Sequence, residues 1–118
     1  MPDKVFFNED IGVIEVESYG VVTKNDIQES IRTILQIAQD KGINWLLVDT
    51  TRQETMPSTT GIYDIFSTFP RSLKLALLVQ PSQTTAEDIR FVETVGVNRG
   101  FSMQIFHSRE EALKWLKS

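Results

Sequence analysis

The residues best suited to chemistry gather in one stretch of this sequence. Asp49 ends the apolar run Ile43-Asn44-Trp45-Leu46-Leu47-Val48, with Thr50 and Thr51 directly after it. A polar loop, Arg52 to Ser58, follows, and the hydroxyls of Ser58, Thr59 and Thr60 stand ahead of Gly61. A carboxylate in that position can accept amide hydrogen bonds from its own loop. It could also ligate Mg²⁺ with Glu54 or Asp64, although such sites commonly borrow a substrate phosphate. The three hydroxyls can cap a helix by accepting its free amides. They can also accept a phosphate, which the positive helix end would favour and which adds roughly −1.5 to −2 charge to a partner-facing surface. Asp49, Ser58, Thr59 and Thr60 are therefore candidate phospho-acceptor or partner-binding residues.

Other chemistries find little support. The chain has no cysteine, which removes disulfides, thiolate metal sites and a thiol nucleophile. Its one histidine, His107, lies at an expected strand-to-helix junction and reads as a surface loop residue. Gly61 and Gly96 stand alone, so neither a P-loop nor a dinucleotide fingerprint is present, and no Gly-x-Ser-x-Gly elbow occurs. With a net charge of −4 and no basic cluster, nucleic acid is disfavoured as a partner, as is an anionic membrane surface. The expectation is a protein that is not an enzyme and that carries no cofactor and no metal. At 118 residues, 41% hydrophobic and 24% charged, residues 1–118 are expected to form a single soluble domain. Met1-Pro2-Asp3-Lys4 lacks a signal-peptide core, and no run approaches the ~18 apolar residues of a membrane span, so the expected location is the cytoplasm.

The elements that must position these residues follow from periodicity. Val5-Phe6-Phe7 and the stretch Ile11 to Tyr19 flank the turn Asn8-Glu9-Asp10 and predict a hairpin, with Glu15 and Glu17 facing solvent. Thr23 and Asp26 mark a helix start, and Ile27, Ile31, Ile34, Leu35 and Ala38 form one stripe. Lys41 and Gly42 end that helix. The strand ending at Asp49 is expected in mid-sheet, with its carboxyl end at a rim where α/β proteins build sites. A second helix is predicted from Ser58 to Phe69, stopped by Pro70. Its stripe Ile62, Tyr63, Ile65, Phe66 and Phe69 reads first as core, but the arc is wide. Ile62, Tyr63, Phe66 and Phe69 are thus a candidate dimer or apolar-ligand surface. Leu73 to Val79 is another buried strand, followed by Pro81. Thr84 or Thr85 caps a third helix, with Ile89, Val92 and Val95 inward, Phe91 flanking, and Gly96, then Asn98-Arg99-Gly100, providing its stop. Phe101 to Phe106 alternates as the last strand. Ser108-Arg109-Glu110-Glu111 has capping-box spacing, and Ala112, Leu113, Trp115 and Leu116 are the buried face of a closing helix. The order ββαβαβαβα predicts an α/β fold with a mixed, mostly parallel five-stranded sheet, an antiparallel first strand and four helices.

This pattern resembles the STAS or SpoIIAA-like domains, relatives of bacterial anti-sigma-factor antagonists. The residues that carry the resemblance are the leading hairpin, the buried strand ending Leu47-Val48-Asp49, and a C-terminal third. That third comprises Phe91-Val92-Glu93-Thr94, Asn98-Arg99-Gly100, Ile105-Phe106 and Glu110-Glu111-Ala112-Leu113-Lys114-Trp115-Leu116, and it resembles the STAS/SEC14-like branch. The resemblance implies a SpoIIAA-like β-α superhelix. It also implies that Ser58-Thr59-Thr60-Gly61 matches the phospho-acceptor motif, with Thr59 at the acceptor position. The chain departs from that motif by having Ser58 where the family has an acid and by a longer, more polar loop. The function so implied is a non-catalytic regulatory or protein-interaction module, anti-sigma-factor-antagonist-like, that binds a protein partner or itself as a homodimer. The alternative is a SEC14-like domain binding a small apolar molecule or lipid.

Overall fold

The computed structural model describes residues 3–54, 69, 72–83, 85–98, 100 and 102–118. Its sheet has the strand order β1-β2-β3-β4-β5. The strands are β1 (Asp3–Asn8), β2 (Val13–Gly20), β3 (Trp45–Gln53), β4 (Lys74–Leu78) and β5 (Ser102–Phe106). β1 runs antiparallel to β2 and every later pair is parallel, as the alternation of strands and helices predicts. β3 is central, with β2 on one side and β4 on the other. It does not give way to a loop at Arg52 as expected but runs past Asp49 to Gln53, held on the β2 side by the Tyr19–Arg52 and Gly20–Gln53 pairings. The helices described are α1 (Lys24–Lys41), α2 (Ala86–Asn98) and α3 (Arg109–Leu116), with a short 3₁₀ turn at Pro81–Gln83. The helix expected from Ser58 to Phe69 falls almost entirely outside the described residues.

Local signals set the boundaries of α1. Thr23 Oγ1 accepts from the Asp26 amide at 3.1 Å, and the Asp26 carboxylate accepts from the Thr23 amide at 2.9 Å. The reciprocal pair satisfies two otherwise free donors at the positive helix end. Donation by the Thr23 backbone is the main reason the Asp26 carboxyl sits below its ordinary pKa. At the other end Gly42 takes the left-handed conformation, φ 66°, and its amide returns to the Ala38 carbonyl.

The period-two side-chain alternation sorts the sheet into two cores. One face carries Ile14, Val16, Leu46, Leu75, Leu77 and Met103, covered by Ile34 of α1 and Val92 of α2. The other carries Val13, Leu47, Ala76 and Leu78, covered by Ala112 and Leu116 of α3. Leu47 is fully buried, so its apolar side chain alone contributes about 1.5–3 kcal/mol relative to exposure. An isolated eight-residue helix is not stable in water, and α3 is held at both ends. Ser108 caps its start, accepting from the Glu111 amide. At its finish the Lys74 ammonium donates to the carbonyls of Trp115 (2.7 Å) and Leu116 (3.3 Å) and lies 4.5 Å from the Trp115 ring centroid. A cation there meets the negative end of the helix.

Two further expectations need correction. Glu15 does not face solvent: it is 2% exposed. It lies on the α3 face of β2, next to Val13, and both faces of this sheet are covered. Of the stop signals at Gly96 and at Asn98-Arg99-Gly100, only the second marks the end of α2, which runs through Gly96 to Asn98. The glycine is there for packing, since a Cβ on it would come within 3.1 Å of Met103 Cγ. At the β5 edge, the Phe106 carbonyl serves β4 by accepting from Val79, so the neighbouring Ile105 amide points outward. That amide donates to the Glu93 carboxylate of α2 at 2.9 Å. Among the described residues, no helix is long and apolar enough to cross a membrane.

Candidate functional site

The carboxyl end of β3 is where the structural observations concentrate. Asp49 is half-buried, and its Oδ1 accepts from the Thr51 amide (2.9 Å) and the Thr51 hydroxyl (2.6 Å). This is a local side-chain-to-backbone bond made inside β3, where it competes with the ladder. It has a structural consequence. Glu17 pairs with Asp49, but Tyr19 pairs with Arg52, so β3 holds one residue more than β2 over this stretch. The Thr51 amide, bonded to Asp49, is diverted from the ladder at the point where the register slips, as in a β-bulge.

The bulge sets Arg52 across from Tyr19. The guanidinium carbon lies 5.6 Å from the Tyr19 ring centroid, and Nη1 donates to the phenol oxygen at 3.4 Å. The Tyr19 hydroxyl in turn donates to Glu17. That bond, with some desolvation, holds the phenol's proton and raises its pKa above the ordinary value. Tyr19 (37% exposed) and Val21 (58% exposed) therefore present aromatic and aliphatic surface at the rim beside an exposed arginine.

β3 extends past β4, whose last paired residue is Leu78 opposite Asp49. The overhang is bonded nonetheless. Thr50 Oγ1 donates to the Leu78 carbonyl at 2.9 Å. Gln80 Nε2 donates to the Thr51 carbonyl at 2.6 Å. Gln83 Nε2 donates to the carbonyls of Thr50 (2.7 Å) and Gln53 (3.1 Å), while its Oε1 accepts from the Gln80 amide at 2.7 Å. On the β2 side the Glu54 amide donates to Gly20 at 2.7 Å.

A second polar cluster lies on the α3 face. Arg109 holds Glu15 through two bonds, Nη1 to Oε1 at 2.5 Å and Nη2 to Oε2 at 3.0 Å, and Asn8 Nδ2 adds a third at 2.6 Å. Burial alone would push the Glu15 carboxyl up. The bonds from Arg109 and Asn8 and the arginine's charge outweigh it and hold the carboxyl below its ordinary pKa. The Glu15 hydrogen bond is the leading cause that raises Arg109 in turn. His107 is exposed, and its Nδ1 lies 3.0 Å from the Val79 carbonyl, so that nitrogen carries the proton. Among the described residues, no group of three His, Cys, Asp or Glu side chains is placed to hold a metal ion.

Of the sequence-predicted site residues, Asp49 sits at the rim as described. Phe69 is 9% exposed and belongs to the core on the α1–α2 face. Ser58, Thr59, Thr60, Ile62, Tyr63 and Phe66 lie outside the described residues. Sequence reasoning missed Tyr19, Arg52, Gln80 and Gln83 as rim residues. The one available signal was the Gln80-Pro81-Ser82-Gln83 string, in which amide side chains flank a residue that cannot continue a ladder.

No protein-family model matches the chain, and no curated protein matches it in sequence. Solved structures do match in shape. An uncharacterized protein from the DUF3478 family with a SpoIIAA-like fold, from Shewanella loihica PV-4, superimposes with a TM-score of 0.58 at 15% identity, over 97% of this chain and 91% of that one. An anti-sigma factor antagonist from Mycobacterium paratuberculosis superimposes with a TM-score of 0.61 at 14% identity, over 98% of this chain and 93% of that one. With the strand order and the antiparallel leading strand, these likenesses show the fold: the chain has a SpoIIAA-like α/β fold.

Proposed function

We propose that this domain is a non-catalytic, regulatory protein-interaction module, anti-sigma-factor-antagonist-like, that docks a protein partner on the rim at the carboxyl ends of β2 and β3. The observation that carries the reading is the exposed Tyr19–Arg52 pair, with the exposed Val21 two residues on in sequence. Tyrosine and arginine are over-represented among residues that dominate binding energy, because each combines a large contact area with a directional polar group. Asp49 shapes the bulge that pairs them. Ser58, Thr59 and Thr60 follow this rim in the sequence, and a phosphate on Thr59 or Ser58 would add roughly −1.5 to −2 charge.

The test is comparative capture from the source cells. Tagged wild-type protein, Tyr19→Ala, Arg52→Glu and a control on the closing helix, Lys114→Ala, are used in parallel, and phosphorylation at residues 58–60 is read by mass spectrometry. A partner held by wild type and Lys114→Ala, and weakened by about 2 kcal/mol or more (roughly 30-fold) in both rim variants, supports the proposal. Equal binding by the rim variants refutes it.

A further inference from the structure

β4 ends at Leu78 and Pro81 follows, so the backbone can no longer supply amide donors in strand register with β3. Yet β3 continues to Gln53. Thr50, Thr51 and Gln53 lie past the last β3–β4 pair, Asp49 with Leu78. There the primary amides of two glutamines occupy the place that β4's peptide groups would have taken. Gln83 uses its carboxamide as a peptide group is used in a sheet. It donates to β3 at Thr50 and Gln53, and accepts from the Gln80 amide behind it. Gln80 donates to Thr51 between them.

We infer that Gln80 and Gln83 form an amide clamp that makes the turn between β4 and α2 and the outgoing end of β3 one mechanical unit. The clamp fixes the exit of β3, and with it Arg52 against Tyr19. Ligation of the turn and ordering of the β3 exit then rise and fall together, because the same bonds serve both. That the clamp thereby regulates docking rests on the proposed rim; the clamp itself does not, and its test needs no partner.

The experiment is amide hydrogen exchange by NMR on the whole chain, in wild type, Gln83→Leu and Gln83→Glu. The reporter is the Glu54 amide, held by Gly20 and contacting neither glutamine in any hydrogen bond described above. The control is the Lys74 amide, held by Asn44 at the opposite end of β3. Loss of the Gln83 donors is expected to speed Glu54 exchange by about tenfold, with Lys74 within twofold of wild type. Gln83→Glu keeps an acceptor for the Gln80 amide but removes the donors, so Glu54 should accelerate as in Gln83→Leu while the Gln80 amide stays protected. Unchanged Glu54 exchange overturns the inference, and so does equal acceleration of Glu54 and Lys74, which would mean general loosening. If the clamp passes and rim variants still bind normally, only the docking proposal falls.

Discussion

Replacing Arg109 with methionine tests the buried carboxylate directly. Methionine keeps much of the apolar stem and removes the guanidinium. Glu15 then retains Asn8 but loses both bonds from Arg109. Its side chain is 3% exposed, whereas that of Arg109 is 46% exposed. A pair buried on both sides loses about 3–5 kcal/mol when one partner is removed, and a fully exposed pair about 0–1. With one buried member and one half-solvated member, the expected loss at pH 7 is about 2–3 kcal/mol. For a domain of this length that lowers Tm by roughly 10 °C. The pH dependence is more diagnostic. In wild type the folded pKa of Glu15 lies below its ordinary 4.5, so its contribution is present above that value and is lost as pH falls through the folded pKa. In Arg109→Met, burial dominates and the folded pKa rises above the unfolded one. The protonated carboxyl is then tolerated below the unfolded pKa, and stability falls as pH rises through the raised folded value. The gap between the two proteins should therefore be widest near neutrality and shrink toward pH 4. Urea unfolding followed by circular dichroism across that range measures it. A loss under about 0.5 kcal/mol at pH 7, or a gap that does not change with pH, would refute the reasoning. The double variant Glu15→Leu/Arg109→Leu should recover most of the loss, since no charge is then stranded.

Two further outcomes follow from the glycines. Gly42→Ala is expected to destabilise by about 1–2 kcal/mol, because the position needs a left-handed backbone although nothing crowds its Cβ; thermal unfolding reads the loss. Gly96→Val should destabilise by about 1–3 kcal/mol through collision with the buried Met103, and relief by a partnering Met103→Ala would confirm the contact.

The elements that could be read from the sequence were those whose causes are local. The Thr23–Asp26 box, the Gly42 cap and the Leu46–Leu47 strand each depend on residues within a few positions, and each lies where its pattern puts it. Glu15 escaped because its partner arrives 94 positions later, on a helix that covers the sheet's second face. An alternation of apolar residues and acids looks the same whether the acid meets water or a guanidinium. The helix stop at Asn98-Arg99-Gly100 is legible, but the packing role of Gly96 is not, because nothing in the chain announces Met103 opposite it. At the candidate site, the apolar run up to Asp49 was legible as a central strand, but its continuation to Gln53 was not, because Thr50 to Gln53 are polar. The bulge that brings Arg52 to Tyr19 was not, since it arises from a side chain competing with a ladder.

The carboxylate of Glu93 on the outward Ile105 amide has a consequence at the level of many molecules. A sheet border with bare donors invites a stranger's backbone to add on, and repeated addition leads to fibrils. Here a newcomer at β5 would first have to displace a negative charge from its amide, together with the helix that carries it. The border is thus guarded by an anion anchored in the fold, and stacking of copies through this margin is opposed before it begins.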